Sequence, residues 1–187
     1  NHVDYEADLS KLTIKIFKKM LESVGSRQII IPLSAGNDSR LVASILKELG
    51  ATNVVCYSYG LSGNFEAKAA KSIAEKLGYK WFFVPLNHKS EKRFYKSDEY
   101  KKYCKFSETF SSVPYIQSLS TIKYLKELNL IDDDAIFING NSGDFISGLH
   151  LNYLSKNNHE VADISIRKEA ILNSIIKTRF SLWGQFS

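Results

Sequence analysis

Residues 28–40, which read QIIIPLSAGNDSR, constrain this chain more than any other stretch. Ile29, Ile30 and Ile31 run through Pro32 and Leu33 and stop at a cluster of small and polar residues. That is a buried strand emptying into a tight loop. Leu41, Val42, Ile45, Leu46 and Leu49 then return at helical spacing and Gly50 closes the run, so the loop stands at a helix N-terminus. The first N–H groups of a helix have no intrahelical partner, and the aligned peptide dipoles place positive potential there. Strand, loop and helix start together therefore make an anion site, with phosphate as its natural guest. Ser34 and Ser39 offer hydroxyl donors, Gly36 lets backbone approach closely, and Arg40 adds a full positive charge. Asp38 would repel phosphate on its own. It fits if it holds a magnesium ion that bridges to phosphate oxygens, because magnesium prefers carboxylate and phosphate ligands. Taken singly, Ser34, Asp38 and Ser39 are equally ordinary helix caps. Taken as a set after a buried strand, with Ala35, Gly36 and Asn37 among them, they read as a phosphate loop. No Gly-Lys-Ser/Thr follows at the required spacing, so this is not the ordinary nucleotide P-loop.

The rest of the chain repeats the strand-then-helix rhythm. A first amphipathic helix is expected over residues 4–24, with Leu9, Leu12, Ile16, Met20 and Val24 on its packing stripe and lysines elsewhere. Further strands are expected near 54–59, 81–84 and 135–138, with the first at 28–33. Phe65, Ala69, Ile73 and Leu77 step through a helix that Gly78 ends. Pro114 suits the first turn of a later helix capped by Ser111 or Ser112, and Leu172, Ile175, Ile176, Phe180 and Trp183 make a last stripe. This alternation predicts an α/β fold, a Rossmann-like parallel sheet with helices on both faces. The strand over 135–138 empties into Asn139-Gly140-Asn141-Ser142-Gly143-Asp144, a second small-residue loop with a carboxylate. In a parallel sheet the C-terminal strand ends share one edge, so Asp38 and Asp144 can converge on one nucleotide and metal. The plainer alternative is that Asp144 caps a helix starting near Phe145.

A length of 187 residues with 44% hydrophobic and 24% charged residues suits one globular domain over 1–187. Asn1 rather than Met comes first, and Leu182, Trp183 and Phe186 crowd the end, so the domain reads as excised from a longer chain. A net charge of +5 fits a polyphosphate or a nucleic-acid ligand and does not choose between them. No apolar run approaches the ~20 residues of a membrane span and no signal segment is evident, so a cytoplasmic protein without a membrane partner is expected. Cys56 and Cys104 stand far apart, which indicates neither a zinc site nor a disulfide framework. Residues 88–112 break the rhythm as a basic aromatic insertion, with seven Lys or Arg against four Asp or Glu. Such a stretch is either a nucleic-acid surface or short helices with tyrosines inside and lysines outside. Asp132, Asp133 and Asp134 lie where a helix must turn into the next strand, and a solvated turn is expected there.

SAGNDS resembles the SGGxDS pyrophosphate loop of the ATP pyrophosphatases, and NGNSGDFISG at 139–148 is similar to the SGEGSDE…GG segment of asparagine synthetases. The resemblance runs in order from about Ile29 to Leu151 and is to the synthetase domain of that PP-loop family. It implies an adenine nucleotide alpha hydrolase-like sheet of order 3-2-1-4. It also implies ATP and Mg2+ as cofactors, with Ser34, Ala35, Gly36, Asn37, Asp38 and Ser39 on pyrophosphate and metal. Leu33, Ser58, Tyr59 and Gly60 would flank adenosine, and Asn139 with Gly140 would lie near the AMP moiety. Asp38, Arg40 and Asp144 would be the catalytic set, Asp38 and Asp144 holding the metal. The implied activity is an AMP-forming amide synthase that adenylates a small-molecule carboxylate for attack by ammonia or an amine, supplied by a glutaminase domain or subunit that this chain lacks. Two departures stand out. Ala35 replaces a glycine, which costs about 1 kcal/mol where φ must be positive. Asn141 replaces an acidic residue, which moves the expected substrate away from aspartate. Alternatives on the same loop are an adenylating RNA-modifying enzyme and a non-catalytic nucleotide-binding module.

Overall fold

The computed structural model describes residues 4–107, 118–141, 168–169 and 172–173. In chain order the elements are α1 (Tyr5–Val24), β1 (Ile29–Pro32), α2 (Asn37–Glu48), β2 (Val54–Gly60), α3 (Phe65–Leu77), β3 (Lys80–Pro85), α4 (His88–Phe94), α5 (Asp98–Ser107), α6 (Leu119–Glu127) and β4 (Ile136–Phe137). The four strands form one sheet of order β3-β2-β1-β4. Every pairing is parallel, with Ile29 opposite both Val54 and Ile136, and Val55 opposite Lys80. The fold is therefore the α/β parallel sheet of order 3-2-1-4 that the sequence predicts.

Strand alternation builds two cores, one on each face. Ile29, Ile31, Val54 and Cys56 point to the face covered by Phe17, Met20, Leu21 and Val24 of α1, Val42, Ala43 and Leu46 of α2, and Ala70 and Ala74 of α3. Ile30, Val55, Tyr57 and Val84 point the other way, onto Leu125 and Ile122 of α6 and Ile131 beyond it. Helices thus cover both faces. Ile29, Ile30 and Ile31 are 3%, 0% and 0% exposed, and full burial stabilises such a side chain by about 1.5–3 kcal/mol, which makes β1 the anchor of both cores.

Local chemistry sets the helix ends. Asp4, Asn64 and Asn87 cap α1, α3 and α4 by accepting from Ala7, Ala67 and Ser90 amides, and Gly78 closes α3 at φ 71. Two helix stripes differ from expectation: in α3 the buried residues are Ala67, Ala70 and Ala74, with Ile73 and Leu77 partly buried and Phe65 exposed. The packing stripe of α1 is Phe17, Met20, Leu21 and Val24, while Leu9, Leu12 and Ile16 face solvent, because only the C-terminal half of the helix lies over the sheet. β4 is shorter than expected, Ile136–Phe137, although the Ile138 amide still donates to the Ile30 carbonyl at 3.0 Å.

By its contacts the chain divides into two compact units, Asn1–Gly140 and Asn141–Ser187, and the sheet lies in the first. In the second unit, 168–169 and 172–173 are helical and Leu172 is exposed. The expected helix start at Pro114 and the stripe residues Ile175, Ile176, Phe180 and Trp183 lie outside the described residues. No helix among the described residues is long and apolar enough to cross a membrane.

The two cysteines divide by burial. Burial pushes the Cys56 thiol up from its ordinary range to about 12, while Cys104 is only part-buried. Only the thiolate reacts, so a maleimide at pH 8 should label Cys104 and leave Cys56 unmodified until the protein unfolds. Labelling of both residues at similar rates in the native protein, read by mass spectrometry, would contradict the placement of Cys56 in the core.

Candidate functional site

The loop between β1 and α2 is organised by its own hydroxyls. The Ser34 amide donates to Ser39 Oγ at 3.1 Å, the two hydroxyls lie 3.1 Å apart, and the Gly36 amide donates to Ser34 Oγ at 3.1 Å. Ser39 is buried, so this network fixes the loop from within. Gly36 is the N-cap of α2 and no side-chain cap bond forms there. Ser34, Asp38 and Ser39 are thus not cap residues, and the first-turn amides of α2 carry no side-chain acceptor from a cap. Asn129 is the only non-glycine residue with positive φ among the described residues, so Ala35 incurs no left-handed strain where the resembling family has glycine.

Charge in the loop faces outward. The Asp38 carboxylate is exposed in the first turn of α2, and it makes no hydrogen bond or ion pair among the described residues. Arg40, one turn into the helix, donates from Nη2 to Asn37 Oδ1 and is likewise exposed. A carboxylate and a guanidinium therefore flank the same helix start, which is the donor set for a divalent cation and a phosphate side by side.

Behind the loop a relay runs from two strands to the loop mouth. The Trp81 indole on β3 donates to Ser58 Oγ on β2 at 3.1 Å, and Ser58 Oγ donates to the Leu33 carbonyl at 2.7 Å. The Leu33 amide donates in turn to the Tyr57 carbonyl at 2.8 Å. Leu33, the residue entering the loop, is held on both its backbone groups. Ser58 is buried and spends its hydroxyl here, so it shapes the loop from below. Trp81 is a supporting residue that sequence reasoning missed; read alone, WFFV is a strand, and only the register that aligns Cys56 with Trp81 brings the indole to Ser58. Beside Leu33, Tyr59 is 36% exposed at the end of β2, with its ring stacked on Tyr57 at 6.3 Å between centroids. Gly60 follows at φ 129, a value that only glycine takes without strain.

The second loop meets the first. A Cβ at Gly140 would lie 2.7 Å from both Asp38 C and Ser39 N and 2.8 Å from Asp38 Cβ. The backbone after β4 therefore touches the start of α2, and only glycine permits the approach. Among the expected site residues, the structure brings Leu33, Ser34, Ala35, Gly36, Asn37, Asp38, Ser39 and Arg40 together with Gly140. Ser58, Tyr59 and Gly60 stand on the neighbouring strand end, and Asn139 leads into Gly140. Asp144 lies outside the described residues. Groups of three or more metal-ligating side chains are absent among the described residues, and Asp132, Asp133 and Asp134 form an exposed turn with Lys126 on Asp133 at 3.3 Å.

The basic aromatic stretch forms α4 and α5. Phe94, Tyr95 and Tyr100 pack edge to face with centroids 5.1–6.1 Å apart, and Lys123 of α6 bonds Glu99 at 2.9 Å. That ion pair holds the Glu99 carboxyl down at about 2, with the Lys123 hydrogen bond as the largest cause.

No family model matches the chain. It is 36% identical over 85 residues to a probable glutamine-hydrolysing asparagine synthetase of Acanthamoeba polyphaga mimivirus, a match that covers 42% of this chain and 16% of that protein. Over that segment the chain is a partial homologue of an asparagine synthetase. Among solved structures, an NH3-dependent NAD synthetase from Campylobacter jejuni subsp. jejuni NCTC 11168 aligns with TM-score 0.47 and 17% identity, over 81% of this chain and 61% of the other. A protein described as a predicted subunit of tRNA methyltransferase from Methanocaldococcus jannaschii aligns with TM-score 0.31 and 21% identity, over 60% and 67%.

The Gly140 contact yields a direct test. In Gly140→Ala the new methyl must displace backbone at Asp38 and Ser39, at a cost of about 1–3 kcal/mol for overpacking. Affinity for ATP should fall roughly tenfold or more while the far-ultraviolet spectrum stays unchanged. Unaltered ATP affinity, measured by calorimetry, would mean that the second loop has no part in the site.

Proposed function

We propose that this chain is the nucleotide-binding part of an ATP-dependent, AMP-forming amide synthase. The observation that carries the reading is the contact of Gly140 with Asp38 and Ser39, which joins two small-residue loops at one edge of a parallel sheet. Ligands of open α/β sheets bind at that edge. The partial identity to an asparagine synthetase supports the same chemistry, and the chain spans 16% of that relative's length, so substrate and partners of the whole enzyme are part of the proposal.

In this reading the first-turn amides of α2 bind the β- and γ-phosphates, and the hydroxyls of Ser34 and Ser39 exchange their mutual hydrogen bond for phosphate oxygens. Leu33, Tyr59 and Gly60 line the adenosine, and Asn139 with Gly140 closes the side towards AMP. A carboxylate oxygen of the acceptor attacks the α-phosphorus, the bond to the bridging oxygen breaks, and pyrophosphate leaves with both electrons. Ammonia or an amine then attacks the acyl carbon of the adenylate and expels AMP. Charge grows on the leaving pyrophosphate, so fixed amide donors and Arg40 at that spot lower the barrier without a side-chain nucleophile. Asp38 is the residue that would hold magnesium, whose bound charge would neutralise the phosphates. Its fit rests on an exposed carboxylate that makes no ion pair among the described residues, with Arg40 held by Asn37.

ATP–pyrophosphate exchange on the protein, run against a panel of carboxylic acids and against RNA, tests the reading. Exchange should depend on one class of carboxylic acid, and Ser39→Ala should slow it by roughly 10- to 100-fold. Exchange that responds to RNA alone would favour an RNA-adenylating enzyme. Nucleotide binding without exchange under every condition would leave a binding module and overturn the synthase.

A further inference from the structure

The N-terminal half of α1 carries an apolar ridge that its own core does not cover. Tyr5, Leu9, Leu12 and Ile16 are 77%, 51%, 53% and 55% exposed. Their spacing of four, three and four residues is the seam of a two-helix pair, on one side of a helix whose other apolar side, Phe17, Leu21 and Val24, is already packed. A ridge of this kind on a folded protein marks an interaction surface.

Charge beside the ridge selects the occupant. Asp8 and Lys15 lie on one flank of the ridge, the acid in its first half and the base in its second. Against a parallel copy, acid would meet acid and base would meet base. Against an antiparallel copy every pair is opposite in sign. Leu9 of one copy lies over Leu12 of the other and Tyr5 over Ile16, while Asp8 faces Lys15. A two-fold axis generates each contact twice, as an isologous interface requires. The helix dipole agrees, since an antiparallel pair sets the positive end of one helix beside the negative end of the next.

We propose that α1 mediates antiparallel self-association of this chain through Tyr5, Leu9, Leu12 and Ile16, with a second copy as the occupant. The seam is about 18 Å long, from 12 residues at about 1.5 Å each. With a helix about 10 Å wide, the strip amounts to about 360 Å² over both copies, well below the about 1,600 Å² of a standard interface, and a weak dimer that dissociates in the micromolar range is expected. The inference is independent of the nucleotide site, which lies at the strand ends.

Sedimentation equilibrium of the full chain across the micromolar range is the test. The wild type should fit a monomer–dimer equilibrium, and Leu9→Glu/Leu12→Glu should weaken it at least tenfold. Leu9 and Leu12 lie outside both cores, so the thermal midpoint should hold at concentrations where the wild type is monomeric. Asp8→Lys and Lys15→Asp should each weaken association severalfold, and the double variant Asp8→Lys/Lys15→Asp should restore it. A monomeric wild type throughout, or a dimer untouched by Leu9→Glu/Leu12→Glu, would overturn the interface. Single charge reversals without recovery in the double variant would overturn the antiparallel register.

Discussion

β1 pairs with a parallel neighbour on each side, and the geometry of the candidate site descends from that arrangement. A strand buried on both faces and bonded along both edges has no freedom of register, because a slip of one residue would exchange Ile30 with Ile29 and Ile31 between two different cores. Gln28 reinforces the setting at the start of the strand. Its side-chain carbonyl accepts from the Asp132 amide at 3.0 Å, and its main-chain carbonyl accepts from the Ile136 amide at 2.8 Å. Once β4 is fixed at Ile136 and Phe137, the chain beyond it has three residues in which to reach Asp38. Gly140 is where it arrives.

Rigidity then passes from the sheet to the loop. Trp81, Ser58 and Leu33 carry one hydrogen-bonded line from β3 through β2 to the mouth of the loop, and Ser34 and Ser39 continue it into the first turn of α2. A loop already held in shape has less conformational entropy left to lose when a ligand binds. The exposed groups at its rim, Asp38 and Arg40, are the ones without a place in that line. Ser34 and Ser39 thus belong to the held loop and, in the proposed reading, also to the phosphate site, while Asp38 and Arg40 stand at the exposed rim.

Much of this was legible in the sequence. Three isoleucines before a small-residue cluster gave away both the central strand and the loop, because a doubly buried parallel strand has no polar side to alternate. The order of strands came with the resemblance to the ATP pyrophosphatases. Other features were hidden for physical reasons. In α1 the apolar arc is wider than the face the sheet covers, so a stripe chosen by period alone took Leu9, Leu12 and Ile16 for core. The roles of Ser58 and Trp81 depend on cross-strand register, which no single segment encodes. Ala35 looked costly because family glycines often mark positive φ, yet this loop turns without it.

The central claim is that α2 begins at a magnesium-nucleotide site in which Asp38 is the metal's carboxylate. Calorimetric titration of ATP, with and without magnesium, into the wild type and Asp38→Asn tests it most directly. The substitution keeps the shape and removes the charge. Magnesium should tighten ATP binding to the wild type by roughly tenfold or more and should do little for Asp38→Asn. The same gain from magnesium in both proteins would contradict the account.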